Sequence, residues 1–129
     1  GEDPKFIARR MVIFASEDIG LAGNGALGLA VTAFQAVERV GMPESNYILF
    51  HVATALAKAE KSRATPSAMY KAQALAKQYP DAPVPLHLRN APTKLMKDLG
   101  YGKDYKWEAD FKHSKGFLPD ELKDEKIFP

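Results

Sequence analysis

The chain has 129 residues, of which 46% are hydrophobic and 26% are charged, and its formal net charge is +2. These values are typical of a single globular domain, and so small a net charge gives no general sign of a nucleic-acid binder. The chain has no cysteine, which excludes disulfides and thiolate metal sites and suits a reducing cytoplasm. No apolar run approaches the roughly 18 residues that a membrane-spanning helix needs, so we expect a cytoplasmic protein without a membrane partner.

The most apolar stretch lies near the N-terminus and predicts a central helix over residues 7–20. Asp3 is a suitable N-cap, Pro4 suits the first helical position, and Gly20 suits the end. Residues 11–15 are all apolar and would cover every side of a helical turn, so we expect this helix to be buried on most sides.

Three further long helices and one short helix follow from apolar residues at helical spacing. Asn24 is a plausible cap for the second helix, and Pro43 and Pro66 suit the starts of the third and fourth. The predicted ranges are 25–40, 43–59, 65–78 and 93–99.

Neither the helical nor the strand periodicity of apolar residues continues beyond Tyr101, although large apolar side chains are spread through the segment 101–129. We expect an extended tail that wraps the domain surface and anchors itself with those side chains; the alternative is a frayed terminus. The sequence therefore predicts an all-α fold: a compact bundle of four main helices and one short helix, in one domain of residues 1–129, with a core of 1–100 and the tail. Because the chain lacks an initiator methionine and begins next to a helix cap, we also expect it to be a fragment of a longer protein.

The glycines at positions 23, 25 and 28 match the Gly-x-Gly-x-x-Gly pattern of dinucleotide-binding loops. That pattern indicates a cofactor site only directly after a strand in a βαβ unit, whereas here it follows a predicted helix. We therefore interpret Gly23 and Gly25 as a turn between helices and Gly28 as a position of close packing.

No constellation of residues supports an enzyme mechanism or a metal site. His51, His87 and His113 are far apart in sequence and have no cysteine to assist them. His51 falls beside the apolar stripe of the third helix, where we expect a hydrogen-bonded packing role. We predict no catalytic, cofactor-binding or metal-binding residue in this chain.

Glu17 and Asp18 lie at the negative end of the first helix dipole, so we expect a cation from outside that helix to compensate them. Arg89, in a proline-rich loop, would be a natural partner, and Arg9 and Arg10 point in different directions from their own helix. The sequence predicts a structural salt-bridge cluster of these five residues. If Glu17 or Asp18 partners a buried arginine, its replacement by alanine should cost about 1–3 kcal/mol.

Charge is unevenly distributed along the chain. Residues 58–107 contain ten Lys or Arg and four Asp or Glu. Lys94, Lys97 and Lys103 are therefore candidate contacts to DNA phosphates or to an acidic partner protein. The alternative is a solvated surface without a binding role.

Long stretches of the sequence together resemble one protein family. They are residues 7–22, 41–44, 61–62, 83–93, 95–96, 100–105 and 117–122, which begin Ile-Ala-Arg-Arg-Met-Val-Ile-Phe-Ala-Ser-Glu-Asp-Ile-Gly and include Pro-Val-Pro-Leu-His-Leu-Arg-Asn-Ala-Pro-Thr. In these stretches the chain resembles the C-terminal domain of the replication-associated recombination AAA+ ATPases, called RarA or MgsA in bacteria and Werner-helicase-interacting protein in eukaryotes. Trp107 and its neighbours up to Asp110 depart from the tyrosine- and histidine-rich tail of that family.

The resemblance implies a domain that assembles homotetramers, within an enzyme that acts at stalled replication forks and in recombination and repair. It implies that ATP and Mg²⁺ bind upstream of this chain, and that DNA and single-strand-binding protein are partners of the full-length protein at the nucleoid. The alternative is an appendage that binds DNA or a partner protein through the basic segment 58–107.

Overall fold

The computed structural model describes all 129 residues, which form α-helices, shorter π and 3-10 turns, and no strand. The helices are α1 (Pro4–Phe14), α2 (Gly25–Val40), α3 (Ser45–Lys58), α4 (Ala64–Gln78) and the short α5 (Lys94–Asp98). The predicted all-α fold of four main helices and one short helix is confirmed. None of the helices is both long and apolar enough to span a membrane.

The start of α1 follows the sequence signals. The Asp3 carboxylate accepts a hydrogen bond of 2.7 Å from the Lys5 amide, and Pro4 is the first helical residue. After Phe14 the helix widens into a π-helical turn (Ala15–Ile19) and then tightens into a 3-10 turn (Gly20–Ala22). The predicted continuous helix is therefore three successive helical pieces.

The burial of this segment confirms the prediction only around residues 11–15. Met11 and Ala15 are buried and the three residues between them are half-buried, so no residue of this turn is exposed. Ala8 and Ile19 extend the buried stripe at a spacing of three to four residues, whereas the polar residues at positions 9, 10, 16 and 17 are exposed. Outside residues 11–15 the segment is therefore buried only on the side where α2 and α3 pack against it.

The core lies where α1, α2 and α3 pack on one another. It is built from one buried stripe on each helix together with the π-helical turn. The buried members are Ala8, Met11, Ala15, Ile19, Ala30, Ala33, Val37, Leu49, Val52 and Leu56.

Three predictions about the first turns of α2 and α3 are corrected by the structure. The bounds of α2 are as predicted, but the Asn24 side chain makes no capping hydrogen bond, and a Cβ on Gly28 would meet nothing within 4 Å. Gly28 is therefore not a close-packing position. Helix α3 begins at Ser45 rather than Pro43, because the amides of Asn46 and Tyr47 still bond to carbonyls three residues earlier, as in a tight turn.

The chain divides into two compact units, and the division falls inside α4. The first unit contains Gly1–Lys71 together with Phe128–Pro129, and the second contains Ala72–Ile127. Residues 101–127 group with residues 72–100, so the contacts do not divide the chain at residue 100. The single domain of residues 1–129 stays a prediction.

In the second unit, the segment after residue 100 packs on the loop around the 3-10 turn Leu86–Leu88. The Gly102 amide donates to the Leu86 carbonyl at 2.9 Å, and His87 Nε2 lies 2.7 Å from the Gly116 carbonyl oxygen. The rings of His87 and His113 are stacked with centroids 3.8 Å apart. Trp107, which we expected to anchor the tail, is 92% exposed, so that expectation is wrong.

Candidate functional site

The π-helical turn is held by the link between α3 and α4. The Asp18 carbonyl accepts a 2.8 Å hydrogen bond from the Ser62 amide, and Arg63 Nη1 lies 3.4 Å from Asp18 Oδ1. In the same link, the Lys61 ammonium donates to the last carbonyls of α3, including that of Leu56 at 3.1 Å, and lies 5.5 Å from the centre of the Phe14 ring. The link therefore supplies the cation that the sequence predicted for Asp18.

The other residues of the predicted salt-bridge cluster have different surroundings. Arg9, Arg10 and Glu17 are exposed, and their side chains make no hydrogen bond or ion pair. Arg89 donates from Nε to the Val84 carbonyl at 2.7 Å and from Nη1 to the Tyr101 hydroxyl at 3.2 Å. The predicted pairing is therefore wrong for Arg89, which is satisfied by neutral oxygens within its own unit.

Arg63 was not predicted as a partner of Asp18, because its only signal was its place in the polar link that precedes α4.

An Asp18→Ala variant should lose little stability, because the side chains of Arg63 and Asp18 are 64% and 36% exposed. Exposed pairs of this kind contribute about 0–1 kcal/mol, below the cost expected for a buried partner. Urea unfolding should place Asp18→Ala within that range and Glu17→Ala at the wild-type value. A loss above about 2 kcal/mol for either variant would contradict this interpretation.

Gly20 lies where the π-helical turn passes into the 3-10 turn. Its φ of 50° lies in the region that favours glycine, and a Cβ there would lie 3.3 Å from the Thr65 hydroxyl oxygen. Side chains other than glycine are strained at such a position.

We expect Gly20→Ala to lower the free energy of unfolding by about 1–3 kcal/mol because of this strain. Gly28→Ala is the matched control, since Gly28 lies inside α2 with open space at its Cβ position. It should be stabilising by about 0.5–1 kcal/mol because alanine favours the helix. Thermal unfolding of both variants measures the difference, and a neutral Gly20→Ala would contradict the account.

The three candidate lysines lie in the second unit. Lys94 and Lys97 are exposed on α5, and Lys103 lines an open cavity of about 750 Å³. Lys112 and Lys115 also line this cavity, but so do three carboxylates: Asp104, Asp120 and Glu121. The cavity is therefore mixed in charge, and the role of the lysines in binding DNA or a partner stays a prediction.

The histidines do not belong to a group of side chains that could hold a metal ion. No group of three His, Cys, Asp or Glu side chains is arranged to hold a metal ion. His51 is exposed on α3 and makes no hydrogen bond, so the predicted packing role is wrong.

The outer face of α3 is the most prominent apolar surface of the first unit. Tyr47 is 82% exposed and Phe50 is 76% exposed, while Leu49, Val52 and Leu56 of the same helix are buried. We use the name α3 outer face for the exposed residues at helical spacing, which are Tyr47, Phe50, His51 and Thr54.

Neither Tyr47 nor Phe50 was predicted as a functional residue from the sequence. They fall outside the apolar stripe that contains Leu49, Val52 and Leu56, and that mismatch was the available signal. These two exposed aromatic side chains make the α3 outer face the candidate interaction surface of the first unit.

Comparison with known proteins identifies the class to which this helical domain belongs. All residues from 1 to 129 match the family described as MgsA AAA+ ATPase C terminal, and the chain belongs to that family.

Named relatives occur in both eukaryotes and bacteria. The chain is 46% identical over 132 residues to ATPase WRNIP1 of Dictyostelium discoideum, a match that covers 99% of this chain and 15% of the relative. It is 40% identical over 132 residues to replication-associated recombination protein A of Haemophilus influenzae, covering 99% of this chain and 30% of that protein. It is 44% identical over 110 residues to replication-associated recombination protein A of Escherichia coli K12, a match that covers 85% of this chain and 25% of that protein. The chain thus spans less than a third of the length of these relatives.

Proposed function

We propose that this chain is the self-association domain of an AAA+ ATPase that acts in replication-associated recombination, and that it joins four copies into a homotetramer. The observation that carries the proposal is the α3 outer face, where Tyr47 and Phe50 are 82% and 76% exposed. Apolar patches of this kind on a folded domain are typical of protein interfaces, and tyrosine is enriched among the residues that dominate binding.

Burial of Tyr47 and Phe50 in an interface would contribute favourable free energy to association. Each large apolar side chain contributes about 1.5–3 kcal/mol when it is fully buried. Association costs about 4–15 kcal/mol in lost freedom of motion, so two such side chains from each copy can offset the lower part of that range.

A second copy is the natural occupant of this surface. Tyr47, Phe50, His51 and Thr54 carry no carboxylate or ammonium group, and the charged residue at the same helical spacing, Lys58, lies at the C-terminal end of α3. The centre of the surface therefore avoids like charges that face one another, as a self-complementary surface must. The number of four copies comes from the resemblance to the family, as does the role at replication forks.

The full-length protein would have further ligands and partners that bind outside this chain. ATP and Mg²⁺ would bind to the ATPase core, and DNA and single-strand-binding protein would be partners of the full-length protein in the cytoplasm. The names of the relatives, which refer to an ATPase and to replication-associated recombination, support this assignment. We propose no catalytic step for this chain.

Site-directed cross-linking tests the interface. Because the chain has no cysteine, His51→Cys places a single thiol on the α3 outer face, one helical turn after Tyr47 and next to Phe50 in the chain. A bismaleimide with a spacer of about 10 Å, close to the distance between packed helices, should give covalent dimers. Leu95→Cys, an exposed position on α5, is the control and should stay uncross-linked. Equal cross-linking of both variants, or none at position 51, would contradict an interface at this face.

DNA binding is the second candidate, because Lys94, Lys97 and Lys103 are exposed and their ammonium groups make no ion pair. Replacing all three by glutamate should then abolish binding to a short DNA duplex. The slope of log affinity against log salt for the unmodified chain should reflect about three phosphate contacts, since each contact releases counterions. Salt-independent DNA affinity, or unchanged binding by the triple variant, would reject this candidate.

A further inference from the structure

We propose that the exposed loop of residues 104–110 binds the guanidinium or ammonium group of an arginine or lysine side chain on a partner protein. This receptor lies in the second unit and uses none of the residues of the α3 outer face. It therefore adds a second kind of contact to the proposed assembly role.

The loop presents two aromatic rings around an open pocket. Tyr105, Trp107, Glu108 and Ala109 line a cavity of about 380 Å³. The Trp107 ring is 92% exposed and contacts no other ring, so both of its faces are available. Tyr105 is held in place by an edge contact with Phe111, with ring centres 5.3 Å apart.

The backbone fixes where this loop begins and ends. Asp104 and Asp110 have φ angles of 60° and 59°, in the left-handed region that aspartate adopts more readily than most other non-glycine residues. Trp107 lies between these two turns and is 92% exposed.

The chemistry of the pocket matches a cation. The faces of tryptophan and tyrosine carry negative charge density and attract an ammonium or guanidinium group placed within about 6 Å. Glu108 lines the same pocket, and its carboxylate makes no hydrogen bond or ion pair. An entering cation would gain both the aromatic faces and this free carboxylate.

The charge of the loop selects this ligand over others. Residues 104–110 contain three carboxylates and one ammonium, a net charge of −2. Phosphate groups of a nucleic acid would be repelled there, although exposed aromatic rings can otherwise stack on bases. An apolar side chain would remove water from Glu108 without replacing its hydrogen bonds, which costs free energy.

Fluorescence gives a direct test, because Trp107 is the only tryptophan of the chain. We would titrate the full chain with a short peptide that carries one central arginine, with the same peptide carrying glutamine, with tetramethylammonium and with a single-stranded oligothymidine. The expected result is a saturable change in emission with the arginine peptide and several-fold weaker binding of the glutamine peptide. Tighter binding of oligothymidine would overturn the proposal in favour of a nucleic acid. Tighter binding of tetramethylammonium would overturn it in favour of a small free cation.

Variants of the pocket decide whether these residues form the receptor. Glu108→Gln and Tyr105→Leu should each weaken binding of the arginine peptide by about two- to fivefold, the range expected for exposed cation contacts. Glu121→Gln, which removes a carboxylate outside this pocket, should bind as the unmodified chain does. Circular dichroism checks that each variant is folded. Wild-type affinity in both Glu108→Gln and Tyr105→Leu would overturn the proposal, whatever the state of assembly.

Discussion

Replacing Tyr47 and Phe50 together by serine is expected to dissociate the assembled protein. Aromatic side chains at the centre of an interface each cost about 2 kcal/mol or more when they are truncated. Each such loss weakens association about 30-fold, so the double variant should associate about a thousandfold more weakly. Analytical ultracentrifugation of the variant and the unmodified chain over the same concentrations measures this shift.

The matched control for the double variant is Leu95→Ser. Leu95 is 68% exposed, comparable with Phe50, but lies on α5 in the second unit. Its replacement should leave the association constant unchanged. If Leu95→Ser dissociates the protein as strongly as the double variant does, the α3 outer face has no special role in assembly.

The largest expected effect on folding is that of Ile19→Ala. Ile19 is fully buried at the end of the π-helical turn and belongs to the core shared by α1, α2 and α3. Removing most of a buried isoleucine side chain costs about 2–5 kcal/mol, because the lost contacts leave a cavity. Since small domains are stable by only about 5–15 kcal/mol, urea unfolding should show a large decrease in midpoint.

Ile7→Ala provides the control for this substitution. Ile7 is the same residue type in the same helical segment, but it is 37% exposed. Its replacement should cost much less than that of Ile19, because less surface leaves water on folding. Equal losses for the two variants would show that the buried stripe of α1 is not the main contact of this segment.

Helix positions could be predicted because local signals and the fold agree at most helix ends. The cap by Asp3, the stop at Gly41 and the cap by Thr93 each act within a few residues of the chain. No local pattern predicted the π-helical turn, and its contacts are distant in sequence: Asp18 bonds to the Ser62 amide and pairs with Arg63, which follow more than 40 residues later.

The candidate surfaces were harder to predict than the helices. Tyr47 and Phe50 are apolar, and composition alone does not distinguish an apolar residue in the core from one on an interface. Trp107 was expected to be an anchor for the same reason, yet its side chain is 92% exposed. The partners of Arg89 depend on how the loop 83–89 meets Tyr101, which no local pattern specifies.

The molar mass of this chain in solution tests the central claim most directly. Light scattering over a wide range of concentrations should give four times the 14.2 kDa mass of one chain, independent of concentration. That result would place assembly in this domain. A mass of one chain at every concentration would contradict the proposal, and salt-dependent binding of DNA through Lys94, Lys97 and Lys103 would then become the leading hypothesis for the domain.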